Sequence, residues 1–192
     1  FTADHGEMLG DHHMSQKNLF FEGSAHVPLL IMPPQGRSLP HNISVEAPTD
    51  LVDIYPTILA MAGLSSPVSV SGKNLLEPVP MDRMFFGNSL NKNFCVMEEK
   101  VKLVYSAVGD HVLLFDLNTD PMEQHNLAKD PAWQERKAKL WKLLLEHTAQ
   151  YTPEALDENG QFLTYEAPHF PGDVPGRWFG FHYHDYSVDT FH

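Results

Sequence analysis

Apolar positions along the first half of the chain predict strands and a helix of an α/β fold. Residues 1–4 resemble the end of a buried strand, and Val27 to Met32 form a short continuous apolar run that is typical of a strand buried on both faces of a parallel or mixed sheet. From Thr49 to Ala62 apolar residues recur at helical spacing, and Gly63 supplies a C-terminal stop. Because proline lacks a backbone N–H, Pro56 is expected to kink this helix or to divide it into two turns.

The pattern changes at about residue 91, where short apolar runs alternate with tight connections. Such runs predict an antiparallel meander. They lie at Phe94–Met97, Val101–Ser106 and Val112–Asp116, and Met84–Asn88 is a candidate for one more strand. Asp130-Pro131 then begins a helix, with Asp as N-cap and Pro at the first helical position. One face of that helix is apolar and is expected to pack on the small sheet: Trp133, Leu140, Trp141, Leu144 and Thr148.

Composition and charge narrow the classes of function. The 192 residues carry 13 Lys and Arg against 25 Asp and Glu, a formal charge of 13 − 25 = −12, so the chain is not expected to bind nucleic acid or a membrane surface. The longest apolar stretch is too short to span a bilayer. Cys95 is the one cysteine, which excludes an internal disulfide. Because the sequence begins at Phe1 inside an apparent strand, we expect the C-terminal part of a longer protein.

Asp4 and His5 are adjacent at the expected end of the first strand, the edge at which open α/β sheets bind ligands. A carboxylate oxygen and an imidazole nitrogen can share one divalent cation there, and Gly6 would let the backbone turn away sharply. The same tripeptide also fits an Asp that caps a turn beside a surface His. Taken alone, the three residues leave both interpretations open.

A longer pattern surrounds this tripeptide. It comprises Phe1-Thr2-Ala3-Asp4-His5-Gly6-Glu7-Met8-Leu9-Gly10-Asp11-His12-His13, then Lys17, then Phe20 to Ile31. This pattern resembles the sulfatase family of the alkaline phosphatase superfamily. The resemblance implies that Asp4 and His5 bind the metal, and that Lys17, thirteen residues beyond Asp4, binds the sulfate group and the catalytic nucleophile. Asp11-His12-His13 with Lys17 also resembles the branch that hydrolyses phosphonate monoesters and phosphodiesters.

The resemblance resumes in two later blocks. Asp50 to Gly63 is similar to the family's Asp-x-x-Pro-Thr-x-x-x-x-x-Gly helix, and Phe115 to Ala128 is similar to the turn before its last helix. The second of these blocks is expected to be structural, because Asp120-Pro121 shapes a turn and Asn126 can bond nearby backbone.

The fold class implied is α/β, as the C-terminal part of an alkaline-phosphatase-like sulfatase fold. Residues 1–90 would be the C-terminal portion of the large α/β catalytic domain. Residues 91–150 would form a small antiparallel sheet-plus-helix subdomain, and the Pro- and aromatic-rich tail 151–192 would pack near the active-site face.

The family's nucleophile is a formylglycine made in a Cys/Ser-x-Pro-x-Arg motif, which this sequence does not contain. Cys95 is followed by Val-Met-Glu-Glu, and Ser65-Ser66-Pro67-Val68-Ser69 ends in Ser instead of Arg. We therefore expect the formylglycine and the remaining metal ligands in the N-terminal part of the protein, and we expect this chain alone to be inactive. The metal implied by the family is calcium. Because a His ligand is unusual for so hard a cation, magnesium, manganese or zinc also fits.

Other histidines are weaker candidates. His12 could face the site, although a loop His is more often solvated. His182 and His184 alternate as on one face of a strand and could line the substrate pocket or bind metal, with packing of the tail as the alternative.

Three hypotheses for function follow. The first is a metal-dependent sulfatase that acts on a small-molecule or carbohydrate sulfate ester and completes its site with the N-terminal part of the same protein. The second keeps this architecture for a phosphonate monoester or phosphodiester, and the third is a non-catalytic fragment or binding module. The family resemblance also suggests a periplasmic or secreted location.

Overall fold

A computed structural model describes residues 1–14, 17, 20–32, 42–166, 177–179 and 185–187. The chain divides into two compact units, the first made of residues 1–4 and 28–83 and the second of residues 5–27 and 84–192. The domain boundaries proposed at residues 90 and 150 stay predictions. Among the described residues, no helix is both long enough and apolar enough to cross a membrane.

The regular secondary structure described in the first unit is one helix and one 3₁₀ turn, whereas the second unit contains both helices and strands. The helices are α1 (Glu22–Ala25), α2 (Ile54–Met61) and α3 (Gln134–Tyr151). The strands are β1 (Phe85–Ser89), β2 (Asn93–Glu98), β3 (Val101–Ser106), β4 (His111–Asp116), β5 (Arg177–Phe179) and β6 (Asp185–Ser187). The last two pair only with each other, as a short antiparallel ladder.

Helix α2 of the first unit confirms the predicted helix and its end. A 3₁₀ turn, Leu51–Asp53, leads into α2. The predicted helix is therefore divided between Asp53 and Ile54, before Pro56, and not at the proline as expected. Pro56 is in the first turn of α2, where no intrahelical partner is needed for its missing N–H. At the other end Gly63 has φ 75° and the amide of Leu64 donates to the Leu59 carbonyl at 2.8 Å. This is the left-handed glycine termination expected from the sequence.

A buried ion pair holds the start of α2. Asp53 is fully buried and accepts two hydrogen bonds from the Arg83 guanidinium, at 2.5 and 2.9 Å. It also accepts from the backbone amides of Asp50 and Lys73, at 2.8 and 2.7 Å. Burial alone would raise the pKa of Asp53, but these hydrogen bonds outweigh it and lower the pKa.

The two segments predicted as buried strands are not strands in this structure, although both are described in full. Among the described residues, 1–4 and 27–32 form one pair and no longer ladder: Phe1 and Leu30 exchange hydrogen bonds of 2.7 and 2.8 Å. Leu30 is 60% exposed and Met32 is 86% exposed. The prediction of burial on both faces was therefore wrong for this chain, because no described residues cover that apolar run.

The second unit is built on an antiparallel meander in the order β1-β2-β3-β4. Helix α3 lies on one face of it, as predicted. Asp130 Oδ1 accepts from the Ala132 amide at 2.9 Å, so Asp130 is a cap as predicted, but of the 3₁₀ turn Pro131–Trp133 that leads into α3. Leu140 and Leu144 are buried and Trp133 and Trp141 partly buried in the same cluster. The strand residues of that cluster include Phe94, Val96, Leu103, Tyr105 and Leu114.

The N-terminal segment of the second unit packs with the other face of the sheet. Alternate strand residues point to opposite faces, so Leu103 and Tyr105 meet α3 while Lys102 and Val104 face away from it. A second cluster of buried residues forms there: Met8, Met14, Phe21, Cys95, Val104, Leu113 and Phe115. Met8, Met14 and Phe21 are thereby joined to a sheet that begins more than 60 residues later.

Cys95 is expected to be unreactive in the folded protein. Its thiol is buried, and that burial raises its pKa to about 12, so almost no thiolate forms at neutral pH. We predict that a thiol reagent labels this cysteine at pH 8 only as fast as the protein unfolds. Labelling in urea provides the fast reference rate, and comparably fast labelling of the native protein would contradict the packing.

Candidate functional site

The His5 ring is oriented by the backbone of the residue that follows it. His5 is half-buried, and its Nδ1 lies 2.8 Å from the carbonyl oxygen of Gly6. Because a carbonyl can only accept, Nδ1 carries the proton, and in the neutral ring Nε2 then keeps its lone pair. Metal-binding histidines are commonly oriented in this way through a carbonyl on the other nitrogen. Asp4, which precedes His5, is exposed and belongs to the first unit.

Gly6 is required by close approach of another backbone segment. Its amide donates to the Ser24 carbonyl at 2.8 Å, and a Cβ on Gly6 would lie 2.1 Å from the carbonyl oxygen of Gly23. Gly6 is not among the glycines with positive φ. The sequence suggested that Gly6 is needed for a sharp backbone turn. In the structure glycine is needed at this position because α1 packs directly against it.

The structure describes two of the other candidate site residues, Lys17 and His12. Lys17 is exposed. The ring of His12 is stacked on the ring of Phe21, with centroids 4.2 Å apart and planes at 19°. His12 therefore contributes to packing in this segment. His182 and His184 lie outside the described residues. Within the part of the chain that the structure describes, no three His, Cys, Asp or Glu side chains converge as a metal site.

A buried ion cluster of Lys102, Glu22 and Glu123 lies behind this turn. Lys102 Nζ contacts Glu123 Oε1 at 2.9 Å, the Phe20 carbonyl at 2.8 Å, and Glu22 Oε1. The other oxygen of Glu123 accepts the backbone N–H of Glu22 at 2.7 Å. Lys102 and Glu123 are 3% and 1% exposed, so both charges are removed from water and depend on each other.

The electrostatics of the ion cluster follow from two carboxylates sharing one ammonium. Burial by itself would lower the pKa of Lys102, but the carboxylates of Glu123 and Glu22 outweigh burial and raise it. Burial raises the pKa of Glu123, and the attraction of Lys102 only partly offsets that effect. Lys102 is therefore expected to keep its proton at neutral pH.

This cluster is not predicted from the sequence. One signal was available, because Lys102 interrupts a strand whose neighbours on both sides are apolar, and a charge there needs a partner. Its partners are 80 and 21 residues away, and nothing local marks Glu22 or Glu123.

The turn before the last helix is structural, as predicted. Both carboxylate oxygens of Asp120 accept backbone amides, from Gln124 at 3.0 Å and His125 at 2.8 Å. Asn126 Oδ1 accepts from Leu114 and from Ala128, both at 3.0 Å. These bonds join the turn to β4 and to the entry of α3.

A four-stranded antiparallel meander with one long helix across it is the architecture of the C-terminal subdomain of sulfatases, which confirms the fold class. Residues 10–150 match the family described as N-sulphoglucosamine sulphohydrolase, C-terminal. The chain belongs to this family.

Individual relatives and solved structures agree with that class. The chain is 35% identical over 147 residues to arylsulfatase K of Bos taurus, which covers 67% of the chain and 27% of the relative. It is 36% identical over 169 residues to choline-sulfatase of Rhizobium meliloti (strain 1021), covering 82% of the chain and 32% of the relative. The crystal structure of the phosphonate monoester hydrolase of Agrobacterium radiobacter matches with TM-score 0.58 and 32% identity, covering 83% of this chain and 37% of that one. The chain thus spans about a quarter to a third of the length of its curated relatives.

Proposed function

We propose that the complete protein hydrolyses sulfate esters and that this chain supplies part of its metal and sulfate sites. The observation that carries the proposal is membership of residues 10–150 in the sulfatase C-terminal family. The His5 ring adds support, because the bond from Nδ1–H to the Gly6 carbonyl leaves Nε2 as the nitrogen suited to a metal.

Asp4 and His5 are the proposed metal ligands. The metal proposed is calcium, with magnesium, manganese or zinc as alternatives that suit a nitrogen ligand better. When bound, such a cation draws charge from the sulfate oxygens and so favours attack at sulfur. Two ligands do not complete a site, so the remaining ligands are proposed to come from other parts of the complete protein, as is the formylglycine nucleophile.

Lys17 is the proposed sulfate-binding residue. Its ammonium would offset the charge of −12, which otherwise repels an anionic substrate. Secondary contacts to the substrate are proposed for His12, His182 and His184. A periplasmic or secreted location is proposed on the family resemblance alone.

Exposed apolar side chains of the first unit are proposed to contact the N-terminal part of the same protein. Phe1 is 84% exposed and Met32 86% exposed, and α2 leaves Tyr55 and Ile58 more than half exposed. Apolar surface of this extent is usually covered by another part of a protein.

The ligand role of Asp4 is tested by Asp4→Ala in the complete protein. Removing a carboxylate ligand is expected to abolish hydrolysis of an aryl sulfate and to lower the metal content measured after dialysis. Asp82→Ala removes an exposed carboxylate of the same unit and serves as the matched control, with activity and metal content unchanged. Normal metal content and normal rate in Asp4→Ala would refute the role.

A second candidate function is hydrolysis of a phosphonate monoester or phosphodiester. It is favoured by the 32% identity to the Agrobacterium radiobacter phosphonate monoester hydrolase, with 83% of the chain covered. The complete protein should be assayed in parallel on an aryl sulfate, an aryl phosphonate monoester and an aryl phosphodiester. A higher kcat/KM on the phosphonate monoester or the phosphodiester than on the sulfate would favour this second function over sulfate ester hydrolysis. If none of the three substrates is turned over, a non-catalytic role is favoured.

A further inference from the structure

Helix α1 lies between the buried ion cluster and the His5–Gly6 turn. On one side, Glu22 makes two hydrogen bonds: its carboxylate accepts from Lys102, and its backbone N–H donates to the Glu123 carboxylate. On the other side, the Ser24 carbonyl accepts the amide of Gly6 at 2.8 Å. A short path of hydrogen bonds thus runs from the sheet to the residue that follows His5.

We infer that Lys102 and Glu123 position the His5 ring through Glu22 and the backbone of α1. The inference deepens the proposed function and rests on it, since it takes His5 as a metal ligand. In this role none of the three ionic residues touches metal or substrate, and they act by fixing where α1, and therefore the turn, lies on the sheet.

The apolar contacts of this segment do not fix the turn by themselves. Met8 and Phe21 are buried against the sheet, which attaches the segment but leaves its direction poorly determined, because apolar contacts have little directional preference. Hydrogen bonds to charged groups are directional and short. The carboxylate of Glu22 accepts such a bond from Lys102 and its backbone N–H donates one to Glu123, so both the place and the orientation of Glu22 are set.

The contact at Gly6 transmits any displacement of α1 directly to His5. The gap between Gly6 and the Gly23 carbonyl is too small for a Cβ, which would lie 2.1 Å from that oxygen. The His5 ring is tied in turn to the Gly6 carbonyl at 2.8 Å. Close contacts and hydrogen bonds therefore connect α1, which contains Glu22, to the His5 imidazole through Gly6.

The test is Glu22→Gln in the complete protein, with metal affinity as the main measurement. Glutamine keeps the length of the side chain but removes the charge that contacts Lys102 and His26. The Glu22 side chain is 28% exposed, so the variant is expected to fold. Substitutions that disturb the orientation of a ligand typically weaken metal binding about 10- to 100-fold, and we expect a rise in Kd of that size, with kcat/KM restored by excess metal.

Glu98→Gln is the matched control. Glu98 pairs with Arg136 and Lys139 in the same unit, and neither of these ion pairs involves a residue of α1 or of the His5–Gly6 turn. The Glu98→Gln variant should lower the urea midpoint of unfolding at least as much as Glu22→Gln does, while leaving the metal Kd unchanged. Should Glu22→Gln lower the midpoint strongly, Glu22→Asp, which keeps the charge but shortens the side chain, is measured instead and is expected to raise Kd likewise.

A cycle with His5→Ala separates this inference from the proposed function. If Glu22 acts through His5, Glu22→Gln has no further effect on metal Kd once His5 is absent. A normal Kd in His5→Ala would refute the ligand role itself. A weakened Kd in His5→Ala together with an unchanged Kd in Glu22→Gln, or additive effects in the double variant, would overturn the inference and leave the ligand role intact.

Discussion

Gly6→Ala is expected to displace the His5 turn and to cost the complete protein about 100-fold or more in kcat/KM. The new Cβ would lie 2.1 Å from the Gly23 carbonyl oxygen, whereas such atoms stay 3.0 Å or more apart. The backbone must therefore shift by almost 1 Å, and a misplacement of that size at a reacting group typically costs about 100-fold in rate. The same overpacking is expected to lower the free energy of unfolding by roughly 1–3 kcal/mol.

Gly23→Ala provides the control for this substitution, since it places the same methyl group on the opposite side of the contact. A Cβ on Gly23 would meet Met8 Sδ at 3.5 Å and Asp11 Oδ2 at 3.7 Å, which are ordinary contacts. Because alanine is the better helix former, Gly23→Ala should be neutral or slightly stabilising, with metal affinity and activity retained. Equal behaviour of the two variants would show that the close approach at Gly6 is not limiting.

Lys102→Met is expected to lower the free energy of unfolding by about 3–5 kcal/mol, measured by urea denaturation. The methionine fills most of the volume, but it leaves the buried carboxylate of Glu123, which is 1% exposed, without its cation. Lys139→Met is the control. Lys139 is 53% exposed, and its partner Glu98 keeps a second cation, Arg136, at 2.7 Å, so the expected loss is only about 0–1 kcal/mol.

The pH dependence of stability provides a second measurement on the same variant. The pKa of Lys102 is raised by its carboxylate partners, so its contribution is fully present below the unfolded value of 10.5 and is lost as the pH rises through the folded pKa. The wild-type protein should therefore lose stability above about pH 10.5, and the loss should be smaller in Lys102→Met. An identical alkaline profile in both proteins would contradict the shift.

Local signals were enough to predict the meander and α3. Their strands are short and bounded by tight turns, and the Asp130 cap and the apolar face with Leu140 and Leu144 are properties of neighbouring residues. Such features survive folding because the contacts that stabilise them are made within a few turns or between adjacent strands.

Features that depend on distant partners could not be predicted in the same way. The Val27 to Met32 run looked like a strand, but a strand exists only with paired neighbours, and Leu30 has a single paired residue, Phe1. Likewise Glu22 finds its partners 80 and 101 residues later. The role of Gly6 was misassigned for a related reason, since its neighbour in space, Gly23, is unremarkable in sequence.

The discontinuity of the second unit sets an order of events during synthesis. Residues 5–27 leave the ribosome before the strands β1–β4 exist, which lie between residues 85 and 116, and Glu22 is made 101 residues ahead of Glu123. At translation rates of about 5–20 residues per second, the wait is roughly 5–20 s. Throughout it, Met8 and Phe21 lack the sheet that later buries them, so the nascent chain exposes an apolar segment whose shielding depends on strands made more than 60 residues later.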